Sequence, residues 1–205
     1  MTTDGRVVWE WRSWEHLDPV EDPITAIQDE RERWAFGNGL AEWPNGDITV
    51  SFQDISTVIT IERRSGNIIW KFGAPPLSFQ HAPTPLANGN LLIFDNGPHR
   101  LDASLPFSRV IEVNPTTKET VWSYQDLPVT NFFTPRQGNA QRLANGNTFI
   151  CEAVFGRLFE VTASGEVVWE YVNPFFGERQ DGPTNNLFRA YRYSEEEIER
   201  ARQTA

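Results

Sequence analysis

The 205-residue chain has little cysteine, histidine and positive charge. Its single cysteine, Cys151, excludes an internal disulfide framework and is better explained as a small apolar strand residue than as a reactive thiol. Its formal net charge of −10 argues against nucleic acid and membranes as partners, because binding phosphate groups requires a basic surface.

Long hydrophobic runs are also missing. No stretch approaches the roughly 20 apolar residues of a membrane-spanning helix, and the start, MTTDGRVVWEW, has neither the basic nor the apolar region of a signal peptide. We therefore expect one globular domain, cytoplasmic as the chain is given, and leave open the export of a longer parent protein.

Sequence motifs for common cofactors are absent too. The chain has no Gly-rich phosphate loop, no paired-cysteine motif and no Gly-x-Ser-x-Gly elbow, which are the usual signatures of nucleotide, metal or acyl-transfer sites. We expect no cofactor and no metal.

What the sequence does contain is a repeat. WPNGDITVS (residues 43–51) returns as LANGNLLIF (86–94) and as LANGNTFIC (143–151). A second motif recurs as SGNIIWKF, TKETVWSY and SGEVVWEY, and GRVVWEW stands near the start. Its tryptophans, Trp9, Trp70, Trp122 and Trp169, lie about 50 residues apart, close to the ~40–50 residues of a four-stranded propeller blade.

The segments between these motifs alternate in polarity. Runs such as ITVSF, LLIFDN and SRVIEVN are rich in β-branched and aromatic residues and are bounded by Gly, Asn, Pro or Ser, a pattern typical of short antiparallel strands. The Asn-Gly pairs suit two-residue hairpin turns in which both central residues have positive φ. The sequence therefore predicts an all-β fold.

The repeats predict a single partial, open β-propeller domain over residues 1–205. Its three four-stranded blades are expected at 34–72, 79–124 and 136–172, with single flanking strands at 5–11 and 187–193 and a short C-terminal helix at 194–203. Since closed rings have about 4–8 blades, we expect a homo-oligomer or a partner chain to complete the ring, unless the chain is a gene fragment.

Candidate functional residues cluster in the middle repeat. It holds two of the three histidines, and its loop between Asn96 and Arg109 is about ten residues longer than in the other copies; long loops on rigid scaffolds often carry function. The residues expected to converge at one mouth of the central channel are His81, Asp95, Asn96, His99, Arg100 and Arg109. They would form an anion site, because Arg offers a planar fork for sulfate, phosphate or carboxylate and imidazole a nucleophile. The alternative is a loop held by local turns and salt bridges.

The combined motifs resemble those of a known family. GRVVWEWRSWEHLDP, WPNGDITVSF, SGNIIWKFG, QHAPTPLANGNLLIFDNG and LFRAYRY together are similar to the C-terminal portion of the arylsulfotransferase-type β-propeller family. The resemblance implies a propeller of about six blades in full-length relatives. It also implies transfer of a sulfuryl group between phenols through a sulfated histidine, without a nucleotide cofactor.

The resemblance also implies roles for individual residues. His81 would be the nucleophile or general base, and Arg100 would hold the sulfate and stabilise developing negative charge. We expect Asn38, Gln141 and Arg189 to face the same channel.

The chain departs from the family pattern at two places where a histidine is expected. Phe36 occupies the first, and the stretch 136–143 offers Asn139 and Gln141 instead of an imidazole. The leading hypothesis is an arylsulfotransferase (a transferase) or a protein that binds a sulfated aryl ligand or another small anion. The alternative is a non-catalytic binding or assembly module that has lost the nucleophilic histidine.

Overall fold

The computed structural model describes residues 3–25, 31–179 and 182–204. Each copy of the repeat forms one four-stranded antiparallel sheet, whose strands pair in sequence order. Blade 1 consists of β1 (Gly37–Glu42), β2 (Ile48–Phe52), β3 (Thr57–Ile61) and β4 (Ile68–Phe72). Blade 2 consists of β5 (His81–Pro85), β6 (Leu91–Asp95), β7 (Arg109–Val113) and β8 (Thr120–Tyr124). Blade 3 consists of β9 (Asn139–Arg142), β10 (Thr148–Glu152), β11 (Arg157–Val161) and β12 (Val167–Val172).

Short elements complete the described part of the chain. They are single 3₁₀ turns at Ser13–Glu15, Arg31–Arg33 and Val129–Asn131, a hairpin of β13 (Gly177–Arg179) and β14 (Gly182–Thr184), and the helix α1 (Glu195–Thr204). The three sheets do not close into a ring. The prediction of an open β-propeller with three blades and a C-terminal helix is confirmed. No helix among the described residues is long and apolar enough to cross a membrane.

The Asn-Gly turns differ from the expected geometry in a consistent way. In each turn the glycine has positive φ, 90° at Gly46, 85° at Gly89 and 87° at Gly146, whereas the preceding asparagine does not. The Gly46 N–H donates to Trp43 O and the Trp43 N–H to Asp47 O, both at 2.8 Å. This is a three-residue loop made of a type I turn followed by a left-handed glycine.

The blades pack face to face through apolar side chains. Between blades 1 and 2 the buried residues are Val58, Phe72, Leu77, Leu91, Ile93, Ile111 and Val113. Between blades 2 and 3 they include Phe94, Tyr124, Phe132, Ile150 and Phe159. Phe132 lies edge-on to Phe94 and Phe159, with ring centroids 5.8 and 5.5 Å apart. Burying such side chains contributes about 1.5–3 kcal/mol each.

A recurring hydrogen bond, here called the tryptophan clasp, also joins neighbouring blades. The indole Nε1 of Trp70, on the outer strand of blade 1, donates to Pro115 O in the β7–β8 turn of blade 2 at 2.9 Å. Trp122 donates in the same way to Ala163 O in the β11–β12 turn of blade 3 at 2.8 Å. Near the N-terminus, Trp9 donates to Arg63 O of blade 1 at 3.0 Å.

The segments 5–11 and 187–193, which were predicted to be flanking strands, do not pair as strands. Segment 5–11 lies on the free face of blade 1, where Trp11 Nε1 donates to Gly66 O at 2.9 Å. Segment 187–193 runs beside β9 and is held by side-chain amides: Asn139 bonds both backbone groups of Ala190, and Gln141 bonds both of Arg192. Backbone hydrogen bonds from Gly138 N–H to Phe188 O and from Leu187 N–H to Ala153 O hold its first part, and the side-chain amides replace the expected backbone ladder over the rest.

The helix α1 begins with a capping box formed by Ser194 and Glu197. Glu197 N–H donates to Ser194 Oγ at 3.2 Å, and Ser194 N–H donates to Glu197 Oε2 at 2.7 Å. These two bonds satisfy backbone donors that the first helical turn leaves free.

Candidate functional site

His81 lies at the boundary between blades 2 and 3, with both ring nitrogens engaged. It is the first residue of β5 and is 4% exposed. Nε2 lies 3.2 Å from the backbone nitrogen of Gln137, and Nδ1 lies 2.8 Å from Asn96 Oδ1 and 3.1 Å from Phe79 O. Because a backbone N–H can only donate, Nε2 accepts and the proton resides on Nδ1.

Burial lowers the pKa of His81 to about 4, and the positive charge of Arg189 contributes in the same direction. Hydrogen bonds to Asn96 and Phe79 oppose this shift. The imidazole is therefore neutral at pH 7, because removal from water disfavours its charged form.

Asn96 extends the His81 contact into the next blade. Its amide nitrogen donates to Thr134 O at 2.7 Å and to Gln137 O at 2.8 Å. His81 and Asn96 together bind the segment that leads into blade 3. Their hydrogen bonds stabilise the joint between two sheets.

The arginines of the long loop form a separate cluster around Asp95, whose side chain is fully buried. Asp95 Oδ2 lies 3.0 Å from Arg100 Nη2 and 2.9 Å from Arg109 Nε. Asp102 pairs with the same two arginines at 3.2 and 3.0 Å. Burial raises the pKa of Asp95, while the two guanidinium groups and the Ser78 N–H act against that rise.

Arg100 has no face open to solvent: its side chain is 1% exposed. Its guanidinium donates to Phe107 O at 2.9 and 3.3 Å and lies 4.1 Å from the Phe107 ring centroid. Gly97, at φ +74°, packs so closely that a Cβ there would lie 2.0 Å from Phe107 O. This geometry fits the alternative of a loop held by its own turns and ion pairs.

Five of the six predicted residues of the middle repeat therefore fall into two groups, His81 with Asn96 and Asp95 with Arg100 and Arg109. The adjacent residues Asp95 and Asn96 direct their side chains to different neighbours, Asp95 to Ser78 and the long loop, Asn96 to the entry of blade 3. His81 and Arg100 share no hydrogen-bond partner among the described residues. His99 stands apart from both, with its ring edge-on to Phe79 at 4.8 Å.

The three further candidates also bond mainly within the fold. Gln141 holds the backbone of Arg192. Asn38 Nδ2 donates to Gln80 O at 2.8 Å, and Arg189 Nη2 donates to Asn38 O at 2.7 Å. Two buried atoms, Asn38 Oδ1 and Arg189 Nε, have no hydrogen-bond partner within the described part of the chain.

Two partners of this site were not anticipated from the sequence. Gln137 contributes its backbone N–H and C=O, which any residue other than proline provides, so its side-chain type carries no signal. Asn186 donates to Gln137 Oε1 at 2.6 Å and fixes that turn from the C-terminal side.

Metal binding and thiol reactivity are the two other kinds of side-chain chemistry that the structure bears on. Across residues 3–25, 31–179 and 182–204, no three His, Cys, Asp or Glu side chains are grouped to hold a metal ion. Cys151 is fully buried in β10, and burial raises the pKa of its thiol to about 12.

Known proteins resemble this chain in fold and in sequence pattern. No curated protein matches it. A Bacteroides caccae protein of unknown function is 17% identical with a TM-score of 0.50, covering 71% of this chain and 50% of that one. Kuenenia stuttgartiensis hydrazine synthase is 11% identical with a TM-score of 0.51, covering 77% and 42%.

At such identities the likeness concerns the fold, and the chain spans half or less of the length of these structures. The model of the family described as Arylsulfotransferase (ASST) matches residues 2–174. The chain therefore belongs to the arylsulfotransferase (ASST) family.

Proposed function

We propose that this chain is a non-catalytic binding and assembly module of the arylsulfotransferase family, and that it does not transfer sulfuryl groups through His81. The observation that carries this proposal is the engagement of both His81 ring nitrogens within the fold. A nucleophilic histidine needs a free lone pair that the substrate can reach. Here the Nε2 lone pair accepts the Gln137 N–H.

The surroundings of His81 support the same conclusion. Arg100, the residue expected to hold the sulfate, is buried against Asp95 and Phe107. A sulfate would have to displace a carboxylate from a fully buried ion pair, which leaves a buried charge uncompensated. Phe36 also stands where the family resemblance places another imidazole.

Binding of a small anion near Arg189 is a second candidate function. The observation that favours this second function is that the buried Arg189 Nε has no hydrogen-bond partner among the described residues. A guanidinium with an unused N–H suits a sulfated aryl compound or another small anion. Calorimetric titration with 4-nitrophenyl sulfate tests this candidate, with binding expected for the natural chain and lost in Arg189→Ala.

A transfer assay tests the main proposal. The chain is incubated with 4-nitrophenyl sulfate and excess phenol, and release of 4-nitrophenolate is followed by absorbance. We expect no release above buffer for the natural chain, His81→Ala or the matched control His99→Ala. Release that is lost in His81→Ala and retained in His99→Ala would overturn the proposal.

A further inference from the structure

One arrangement of three side chains occurs twice in the molecule. Arg142, in the inner strand β9 of blade 3, pairs with Glu112 of blade 2 at 2.8 Å and lies 4.6 Å from the ring centroid of Trp122. Arg192 pairs in the same way with Glu160 of blade 3 and lies 4.5 Å from the ring centroid of Trp169.

The neighbouring contacts repeat as well. Glu112 accepts hydrogen bonds from Asn88 and Asn90, and Glu160 accepts them from Asn145 and Asn147. The sequences NAQRL (139–143) and RAYRY (189–193) align with Arg142 opposite Arg192. Segment 187–193 therefore lies against blade 3 as β9 lies against blade 2, in the position of the innermost strand of a fourth blade.

Among the residues that the structure describes, none covers the outer part of the same blade 3 face. This surface, here called the trailing face, comprises Trp169 and Tyr171 beside segment 187–193. Phe72 and Tyr124, which occupy the position of Tyr171 in blades 1 and 2, are 8% and 4% exposed, whereas Tyr171 is 41% exposed. The difference arises because blades 1 and 2 are each followed by another blade.

Trp169 also lacks the clasp that its counterparts make. Trp9, Trp70 and Trp122 each donate Nε1 to a carbonyl of a β-turn in the following blade. No described residue accepts a hydrogen bond from Trp169 Nε1, and Trp169 is 39% exposed. For Trp9, Trp70 and Trp122 that acceptor is a backbone carbonyl in the last hairpin turn of the following blade.

We propose that the trailing face docks a further propeller blade of the same repeat, supplied by another polypeptide. Segment 187–193 serves as its innermost strand, and the partner provides the three outer strands and the turn carbonyl for Trp169. This inference deepens the proposed assembly function and rests on it. Immediately after segment 187–193 the chain enters the helix α1 (Glu195–Thr204) instead of a second strand, so this stretch does not itself supply the outer strands.

A second copy of this chain is a poorer occupant. Blade 1 is the blade that no other blade precedes, so a second copy would offer its β3–β4 turn to Trp169. That turn is already occupied by the chain's own N-terminal segment, because Arg63 O accepts a hydrogen bond from Trp9 and Gly66 O accepts one from Trp11. The corresponding turns of blades 2 and 3 are occupied by Trp70 and Trp122.

An internal duplication tests whether the trailing face accepts a blade. A second copy of residues 144–193 is inserted between Tyr193 and Ser194 of the full chain, so that the original segment 187–193 continues directly into three new strands. Hydrogen exchange of each indole Nε1–H is then measured by NMR, with Trp169→Phe used to assign the signal.

We expect the original Trp169 Nε1–H to exchange more slowly by at least about tenfold, corresponding to ~1.4 kcal/mol of protection, and to approach Trp122. The tryptophan of the inserted copy stays unprotected and serves as an internal control. Arg192→Ala in the duplicated chain removes the inner-strand anchor and should reduce the protection of Trp169.

Three results overturn the inference. One is a folded duplicated chain, with Trp122 protected, in which Trp169 still exchanges fast. Another is loss of Trp122 protection, since a blade that fits the trailing face does not unfold its neighbour. The third is a dimer of the natural chain in which Trp169 is protected, which would assign the face to a second copy. Sulfuryl transfer by the natural chain would instead overturn the proposed function and leave the Trp169 result as it stands.

Discussion

The backbone N–H of Gln137 donates to His81 Nε2 across the boundary between blades 2 and 3, at 3.2 Å. This bond occupies the lone pair that sulfuryl transfer would use. The same histidine is bonded to Asn96, which in turn holds the entry to blade 3. The residue that the family resemblance singles out for chemistry thus joins two sheets.

The pH dependence of stability should reveal the buried imidazole. The ordinary pKa of histidine is about 6.5, and that of folded His81 is about 4, so the unfolded chain binds the proton more readily. Stability is therefore fully present above about pH 6.5 and is lost as the pH falls to about 4, by up to ~3 kcal/mol. Urea unfolding across this range should show this loss in the natural chain relative to His81→Gln. Parallel pH profiles for the two proteins would contradict it.

Removing the charge of Asp95 should cost far more stability than removing that of Asp102. Asp95→Asn leaves Arg100 and Arg109 without their buried counter-ion, and breaking such a pair costs about 3–5 kcal/mol. Asp102 has a side chain that is 28% exposed, so Asp102→Asn should cost below about 1 kcal/mol. Urea unfolding of both variants measures the difference. Equal losses would mean that Asp95 is not the centre of the cluster.

The tryptophan clasp predicts different effects for two equivalent tryptophans. Both Trp122 and Trp169 lie beside an arginine. Within the described part of the chain, Trp122 Nε1 has an acceptor, Ala163 O, and Trp169 Nε1 has none. Trp122→Phe should therefore lose about 0.5–1.5 kcal/mol more stability than Trp169→Phe. Thermal or urea unfolding of the pair measures this difference, and an equal loss in both would show that the clasp contributes nothing.

Cys151 should be unreactive until the chain unfolds. Burial raises the pKa of its thiol to about 12, and the thiolate is the reactive form. We expect no modification by Ellman's reagent at pH 8 in buffer and complete reaction in urea. Rapid modification of the folded chain would place the thiol at the surface instead.

Much of the fold could be predicted because the repeat encodes it locally. Alternating polarity identified strands such as Ile48–Phe52, and Asn-Gly marked the hairpins. The turn type was not predicted correctly, because Asn45 stabilises a type I turn by accepting the Asp47 N–H at its own side chain. Only Gly46 then needs positive φ.

Less of the candidate site than of the fold could be predicted from the sequence. All six residues of the middle repeat were expected to converge, and the pairing of β5 with β6 does bring His81 and Asn96 together. The bond to Gln137 was not foreseeable, because it uses a backbone group from another blade. The burial of Arg100 likewise depends on the path of the loop over residues 96–108. By contrast, the similarity of RAYRY to NAQRL can be read from the sequence. The structure adds that Arg192 contacts Glu160 and Trp169 as Arg142 contacts Glu112 and Trp122.

The most direct test of the central claim is the protonation state of His81, measured by ¹⁵N NMR of the imidazole as a function of pH. The account predicts a neutral ring with its proton on Nδ1 from pH 8 down to about pH 5, protonating only near pH 4. An imidazole that titrates near pH 6.5, or that carries its proton on Nε2, would contradict it and restore His81 as a candidate acceptor of the sulfuryl group.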